Sequence, residues 1–518
     1  MHATLVRSLV TSGCLALFAL AAAADGDPAA PVPQGLRAGW AIRDITPERP
    51  VPLRGQHYRR ISEGVTDPLT VTALALESVR GDVRDQAVMV SCDLITIGPQ
   101  LVDAVAAEVE SRRDEAPDLD PAKVVLNATH THTGPTVEGT VEDLPPGVMT
   151  PSEYRAFAAP RIAEAAVAAW NARRPTEVSW ALGHASVARN RRVVFFDPAT
   201  GLPLPGGTQM YGKTALDNFD SIEGGADTGL GLVCFWNPGG GLAGIVVNVP
   251  CPSQEVQNER KVSADFWHDT RAELRKRLGD DVVVFAQCGA GGDCTGRNAW
   301  RTAAEDEMLR RRGLTSRQEV ARRIGTAVSD LMPIAREGAQ AAPEFGHAVR
   351  TLDLPQRLVT PAERDRCSAD AAAAKTAERR AWHLTVVERF ERQQAALEQG
   401  KRPTVPIRVH AVRIGDVAII TNPFELFLDY GVRMQARSPA TLTCVVQLAG
   451  RGTNGTYLPT FRAVEGGGYS AVIESNVVGP EGGRVLVDES VRMLQALWKP
   501  QAAMPSKSPP AAPPIPAS

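Results

Sequence analysis

The chain has no block of lysine and arginine and no acidic tail, and its formal charge is only −3 over 518 residues. It therefore lacks the electrostatic footprint of a nucleic-acid binder. Beyond the N-terminus no segment is long and apolar enough to span a bilayer. The cysteine pattern of a small disulfide scaffold is also missing. Apart from Cys14 the cysteines are Cys92, Cys234, Cys251, Cys288, Cys294, Cys367 and Cys444, an odd number at wide spacing. At least one thiol is free, bound to something, or paired with another chain. Cys251, Cys288 and Cys294 lie in Gly/Pro-rich loops and are the ones to follow. No internal repeat is visible, and no shift in composition marks a domain boundary. Two nucleotide motifs fail narrowly in Gln287–Arg297. Cys294 stands where a dinucleotide fingerprint needs its last glycine, and Arg297-Asn298 replaces the Lys-Ser/Thr of a phosphate loop.

What is present begins with a secretory pattern over residues 1–24. Arg7 supplies a positive start, Leu15–Leu20 an apolar centre, and Ala22-Ala23-Ala24 before Asp25 a small-residue cleavage site. An uncleaved anchor is the alternative. The expected location is secreted or periplasmic. Cys14 has no lipobox before it. At the other end, residues 499–518 are rich in Pro, Ala and Ser and are expected to be disordered. The whole chain is 43% hydrophobic, enough for a large core in the body, 25–498.

Strand-like and helical patterns alternate along the body. Leu36–Thr46, Leu69–Leu76, Ala87–Ser91, Val178–Phe195, Leu232–Phe235, Ala243–Val249 and Val282–Phe285 read as β, the fourth around a polar break. Gln100–Arg113, Pro151–Arg174 and Ser263–Leu278 read as helices, with a kink expected at Pro160. Gly201–Gly229 is loop-rich. Residues 361–400 read as a solvated helix or helical hairpin inserted on the surface, and Ile414-Gly415-Asp416 marks a hairpin within Ile407–Ile420. The fold class is α/β, one domain of mixed sheets flanked by helices.

The chemistry concentrates in Asn127-Ala128-Thr129-His130-Thr131-His132-Thr133-Gly134-Pro135, which follows the apolar run Val124–Leu126. On an extended chain His130 and His132 share a face. Paired imidazoles at a strand end suit a metal, and two inert hydrogen-bonded loop residues are the alternative. Val249-Pro250-Cys251-Pro252-Ser253-Gln254 and Gly292-Asp293-Cys294-Thr295-Gly296 also sit at strand ends, and either Thr295 or Cys294 could be a nucleophile. Glu425, after Ile419-Ile420-Thr421-Asn422-Pro423-Phe424, is a carboxylate in apolar surroundings, which needs a partner, a metal or a helix N-terminus. Two of the six tyrosines, Tyr457 and Tyr469, fall around a glycine-rich loop. Arg191 lies in Asn190-Arg191-Arg192, and His57 in Gln56-His57-Tyr58 is an additional candidate ligand.

The nonamer resembles the Thr-His-Thr-His-Ser-Gly-Pro signature of the neutral/alkaline, non-lysosomal ceramidases. The other motifs follow in family order to Tyr469, so the resemblance covers a catalytic domain only, without the family's immunoglobulin-like domain. It implies zinc held by His130, Glu425 and Tyr457. Cys251 falls where the family places a second zinc histidine, and thiolate is a good zinc ligand. His132, Arg191 and Tyr469 would contact substrate. Thr295 falls at the family's nucleophilic serine, with Gly296 in place of the following proline. The implied activity is zinc-dependent hydrolysis of the amide of a ceramide-like or other N-acyl substrate, small molecule or lipid, with an encounter at a membrane surface. Two other readings stay open: a non-catalytic secreted binding protein on the same fold, and a thiol hydrolase using Cys294.

Overall fold

The computed structural model describes residues 34–499 apart from His57, so the N-terminal secretory pattern, the C-terminal tail and His57 lie outside the described residues. Three four-stranded arrangements with one topology organise the rest. In each, three antiparallel strands are followed by a crossover helix and a fourth strand parallel to the third. The first uses Gly35–Asp44, Thr70–Arg80, Val83–Cys92 and Val124–Ala128, with the helix Pro99–Ser111 as crossover. The second uses Glu177–His184, Gly229–Trp236, Leu242–Val249 and Val283–Cys288, with Phe266–Leu278 as crossover. The third uses Phe345–Pro355, Thr404–Ile414, Val417–Thr421 and Leu442–Val446, with Leu428–Arg437 as crossover. A long helix follows each fourth strand: Pro151–Asn171, Ser316–Glu337 and Pro480–Trp498. The repeat that the sequence hides is thus present in the backbone.

Side-chain alternation explains how the three sheets pack. Along Thr70–Arg80, Val71, Ala73 and Ala75 face helices on one side, while Leu74 and Leu76 face inward. Along Gly229–Trp236, Leu230, Leu232 and Cys234 face helices, while Val233 and Phe235 face inward. In the third sheet Ala418 and Ile420 face outward, Val417 and Ile419 inward. The three inward faces meet in one central core. Strands covered on both sides read as nearly continuous apolar runs.

The carboxyl ends of the parallel pairs are stitched together by buried polar groups. Ala128 N donates to Leu448 O at 3.1 Å, and Gln447 N to Cys288 O at 3.0 Å. Asn127 Nδ2 donates to Ala286 O at 3.1 Å, and Asn248 Nδ2 to Val445 O at 3.1 Å. Ligand sites of open α/β sheets lie beyond such carboxyl ends. Here all three sheets open toward the same place.

Other expectations stand as follows. The helix Pro151–Asn171 runs through Pro160. Gly415, at φ +60°, turns between the strands ending at Ile414 and beginning at Val417. Residues 361–400 form a helical pair, Pro361–Ala373 and Ala377–Glu398. All seven described cysteines are free and buried. Among the described residues no helix is long and apolar enough to cross a membrane.

Candidate active site

His130 and His132 leave the first sheet just past Val124–Ala128. His130 takes a left-handed φ of +66°, uncommon for a residue with a side chain and a sign of local constraint. Its N–H donates to Leu94 O at 2.9 Å, and Ser253 Oγ donates to Thr129 O at 2.7 Å. His130 Nδ1 lies 2.8 Å from Ile95 O, and His132 Nδ1 lies 3.0 Å from Gly55 O. A carbonyl only accepts, so in each neutral ring the proton sits on Nδ1 and Nε2 keeps its lone pair. Those two Nε2 atoms face each other at 3.3 Å.

Glu425 arrives from the third sheet. Its Oε2 lies 3.4 Å from His130 Nε2 and 3.9 Å from Arg191 Nη2. Its short strand pairs in parallel with Tyr457-Leu458, placing Tyr457 beside it, and the Tyr457 hydroxyl is hydrogen-bonded to Glu425. Burial, then the Glu425 charge, raises the Tyr457 pKa well above that of a free phenol. Tyr469 stacks edge-on against Tyr457 with centroids 5.6 Å apart, and burial pushes its pKa up to about 12.

The second sheet sends Gln254 and the glycine loop. Arg191 Nη1 donates to Gln254 Oε1 at 3.0 Å and to the Tyr211 hydroxyl at 2.7 Å. Its Nη2 donates to Gly292 O at 2.9 Å and to the Tyr457 hydroxyl at 3.2 Å. Arg191 fixes the amide orientation of Gln254, so Gln254 Nε2 is the donor to His132 Nε2 at 2.8 Å. Burial, with the nearby Arg191 and Arg60 cations adding to it, pulls the His132 pKa well below normal, so its imidazole is neutral at physiological pH. Gly292 passes so close to Glu425 that a Cβ would lie 2.4 Å from its carbonyl oxygen.

His132, Arg191, Gln254, Glu425, Tyr457 and Tyr469 line a cleft of about 880 Å³. Its outer wall includes Arg366, Asp370, Arg379, Trp382 and His383 from the helical pair, together with Glu474. The pair read from sequence as a surface insertion thus forms part of the site.

Two of the expected residues are not brought to the cluster. The Cys251 thiol turns away into the outer core of the second sheet, with Sγ 3.0 Å from Val187 O, and burial raises its pKa well above normal. Gln254, three residues later, enters the cleft instead. Thr295 is held by a short antiparallel pair with Arg189. Its Oγ1 accepts from Arg297 N at 3.4 Å, and the adjoining Gly296 and Arg297 line a different cavity. Cys294 is fully buried, and burial together with the neighbouring Asp293 carboxylate raises its thiol pKa well above normal. Reactive thiols need the opposite shift, which argues against the thiol hydrolase. Asp293 itself is pushed up to about 6 by burial, and its carboxylate accepts from Asn190 Nδ2 and Leu428 N at 2.8 and 2.9 Å.

His130 Nε2 and Glu425 Oε2, 3.4 Å apart, have the spacing of two donors on one zinc ion. Ligands about 2.0–2.1 Å from a tetrahedral zinc are about 3.3 Å apart, close to the spacing around His130 Nε2. His130 Nε2, Glu425 and the Tyr457 hydroxyl would hold it, and the Ile95 carbonyl orients the imidazole from behind as such rings require. A second donor group, Cys367, His383 and Glu474, lies at the outer wall. There Arg366 already pairs both Glu474 oxygens, at 2.8 and 2.9 Å, so that carboxylate is satisfied without an ion.

No family model matches the sequence, and no curated protein matches it. Two solved structures share the architecture. One, a ceramidase complexed with C2, superposes with a TM-score of 0.63 at 14% identity, covering 90% of this chain and 75% of that one. The other, the neutral ceramidase from Pseudomonas aeruginosa, superposes with a TM-score of 0.62 at 16% identity, covering 91% and 76%. The fold is ceramidase-like. At such identity the likeness establishes the architecture alone. Sequence reasoning missed Gln254, Tyr211 and Arg54. Gln254 stood at the end of the Pro250–Gln254 stretch already singled out, but a lone glutamine carries no motif.

Proposed function

We propose that the protein is an exported, zinc-dependent amide hydrolase acting on an N-acyl compound. The observation that carries the reading is His130 Nε2, set 3.3 Å from His132 Nε2 and 3.4 Å from Glu425 Oε2 in a ceramidase-like fold. Zinc held by His130, Glu425 and Tyr457 would supply Lewis-acid polarisation of the amide carbonyl and a lowered water pKa. His132, neutral and proton-free at Nε2, is the group able to accept a proton from attacking water and return it to the leaving amine. Arg191 stabilises negative charge that develops on the carbonyl oxygen. One water and one amide give one carboxylic acid and one amine. The nucleophile assigned here is water, because the Thr295 hydroxyl faces Arg297 N. Export rests on the Arg7, Leu15–Leu20 and Ala22–Ala24 pattern.

One observation favours the second reading, a non-catalytic binding protein. Arg191 already sets a cation 3.9 Å from Glu425 and 3.2 Å from the Tyr457 hydroxyl, where it competes with a metal. Metal content separates the two. About one zinc per chain, lost in His130→Ala together with hydrolysis of N-acyl amides, supports the hydrolase. Protein never exposed to chelator that contains no metal and cleaves no N-acyl amide supports the binding protein.

A further inference from the structure

Every carboxylate in the cleft wall is already engaged. Glu425 holds Tyr457 and faces His130; Asp370 and Glu474 hold Arg366. The arginines are not matched in the same way. Arg191 and Arg366 each face a carboxylate, Glu425 and Glu474, but Arg54 and Arg379 have none among the described residues. Arg379 rests over the Trp382 ring at 5.6 Å from its centroid. The Arg54 guanidinium lines the cleft and makes no ion pair or hydrogen bond among the described residues. Burial lowers its pKa, and Tyr469, Glu425 and Glu138 offset this only in part, through space.

Such an arginine is not free to leave. Its backbone is pinned, with Arg54 N donating to Gly134 O at 3.2 Å and Arg54 O accepting from Arg60 Nη2 at 2.8 Å. The next residue, Gly55, supplies the carbonyl that holds His132. The Arg54 side chain is half-buried at the cleft wall, and a guanidinium facing a cleft without a carboxylate is open to a ligand that supplies one. The guanidinium fork matches a carboxylate with two parallel hydrogen bonds. The rest of the wall agrees: its aliphatic side chains are few, Ile95, Met210 and Val472, and they offer little surface to a pair of long chains.

We propose that the cleft selects N-acyl compounds whose amine part bears a free carboxylate, N-acyl amino acids as a class, with Arg54 as the counter-ion and Arg379 supporting it at the rim. This rests on the amide-hydrolase reading for its chemistry but on Arg54 for its selectivity, and the two can fail separately.

The test compares N-octanoylglycine with its neutral counterpart N-octanoylglycinamide on the zinc-loaded full chain, reading octanoate release and, in parallel, binding by calorimetry. The expected result is a preference for the acid of at least about 10-fold in kcat/KM, falling to about 2-fold or less in Arg54→Gln, with melting curves showing the variant folded. Equal use of acid and amide, or a preference that survives in Arg54→Gln, overturns the proposal while leaving the hydrolase standing. Arg54-dependent preference for the acid in binding, with no octanoate released from either compound, upholds the anion site and overturns the hydrolase.

Discussion

Gln254 joins Arg191 to His132: its Oε1 accepts from Arg191 Nη1 at 3.0 Å while its Nε2 donates to His132 Nε2 at 2.8 Å. One amide thus sets the protonation of the imidazole from the charge of the arginine. Substitution with glutamate keeps the size and pairs well with Arg191, but turns an acceptor toward the His132 lone pair. His132 must then protonate to make the bond. In Gln254→Glu the acid limb of the kcat/KM–pH profile moves upward by one unit or more (about 1.4 kcal/mol per unit), with zinc content unchanged. A profile superimposable on that of the parent removes this bond from the mechanism.

Gly55 bears on the same imidazole from the other side. It sits at φ +111°, and an added Cβ would lie 2.5 Å from His132 Nδ1. Gly55→Ala therefore combines backbone strain with displacement of a buried ring. The expected cost is about 2–4 kcal/mol in urea unfolding, with kcat/KM falling about 100-fold. Stability and turnover both near parental values would mean that the loop yields easily and does not position His132.

Thr295 tests the nucleophile. With its hydroxyl on Arg297 N and outside the cleft wall, Thr295→Ala should keep kcat within about 5-fold of the parent, since only a weak hydrogen bond is lost. A fall of about 1000-fold with unchanged substrate binding would return the nucleophilic role to this hydroxyl.

A pH effect on stability comes from far outside the cleft. His347 and His410 are buried against each other, with His347 Nε2 3.0 Å from His410 Nδ1. Burial, then Lys123, pulls the His347 pKa down to about 4; burial, then His347, pulls that of His410 well below normal. The unfolded chain takes up these protons near pH 6.5, before the folded protein does. Stability is therefore full above about pH 6.5 and is lost as pH falls toward 4, on the order of 3 kcal/mol for His347. Denaturant unfolding from pH 7.5 to 4.5 should show this slope, and His347→Gln should flatten it. An unchanged slope in the variant would assign the acid sensitivity elsewhere.

Much of the site was legible because its motifs lie at strand ends. His130, His132, Arg191, Glu425, Tyr457 and Tyr469 were each marked by a short pattern; the last five line one cleft, and His130 lies behind its wall against His132 and Glu425. Cys251 and Thr295 were placed by position within a motif. Position along a loop does not fix side-chain direction, and Pro250 and Pro252 around Cys251 turn the thiol toward Val187. The helical pair was read as solvated because it is rich in Ala, Arg and Glu. Periodicity cannot tell a face turned to bulk water from one turned to a polar cleft, as Arg366, Asp370 and Arg379 are. The threefold repetition left no trace in the letters because burial and strand direction repeat while residues do not: His130 and Leu448 both take positive φ two residues past a fourth strand, yet share no chemistry.

That repetition has a thermodynamic consequence. The first sheet contributes the histidines, the second Gln254 and the Gly292 carbonyl, the third Glu425 with Tyr457 beside it. None of the three can assemble the cluster alone. An ion bound there would staple together chain segments that the unfolded polymer holds far apart, so its binding energy would be drawn from, and added to, the docking of the three sheets. Local breathing of any one of them would loosen the ion, and the ion would in turn suppress that breathing throughout the body.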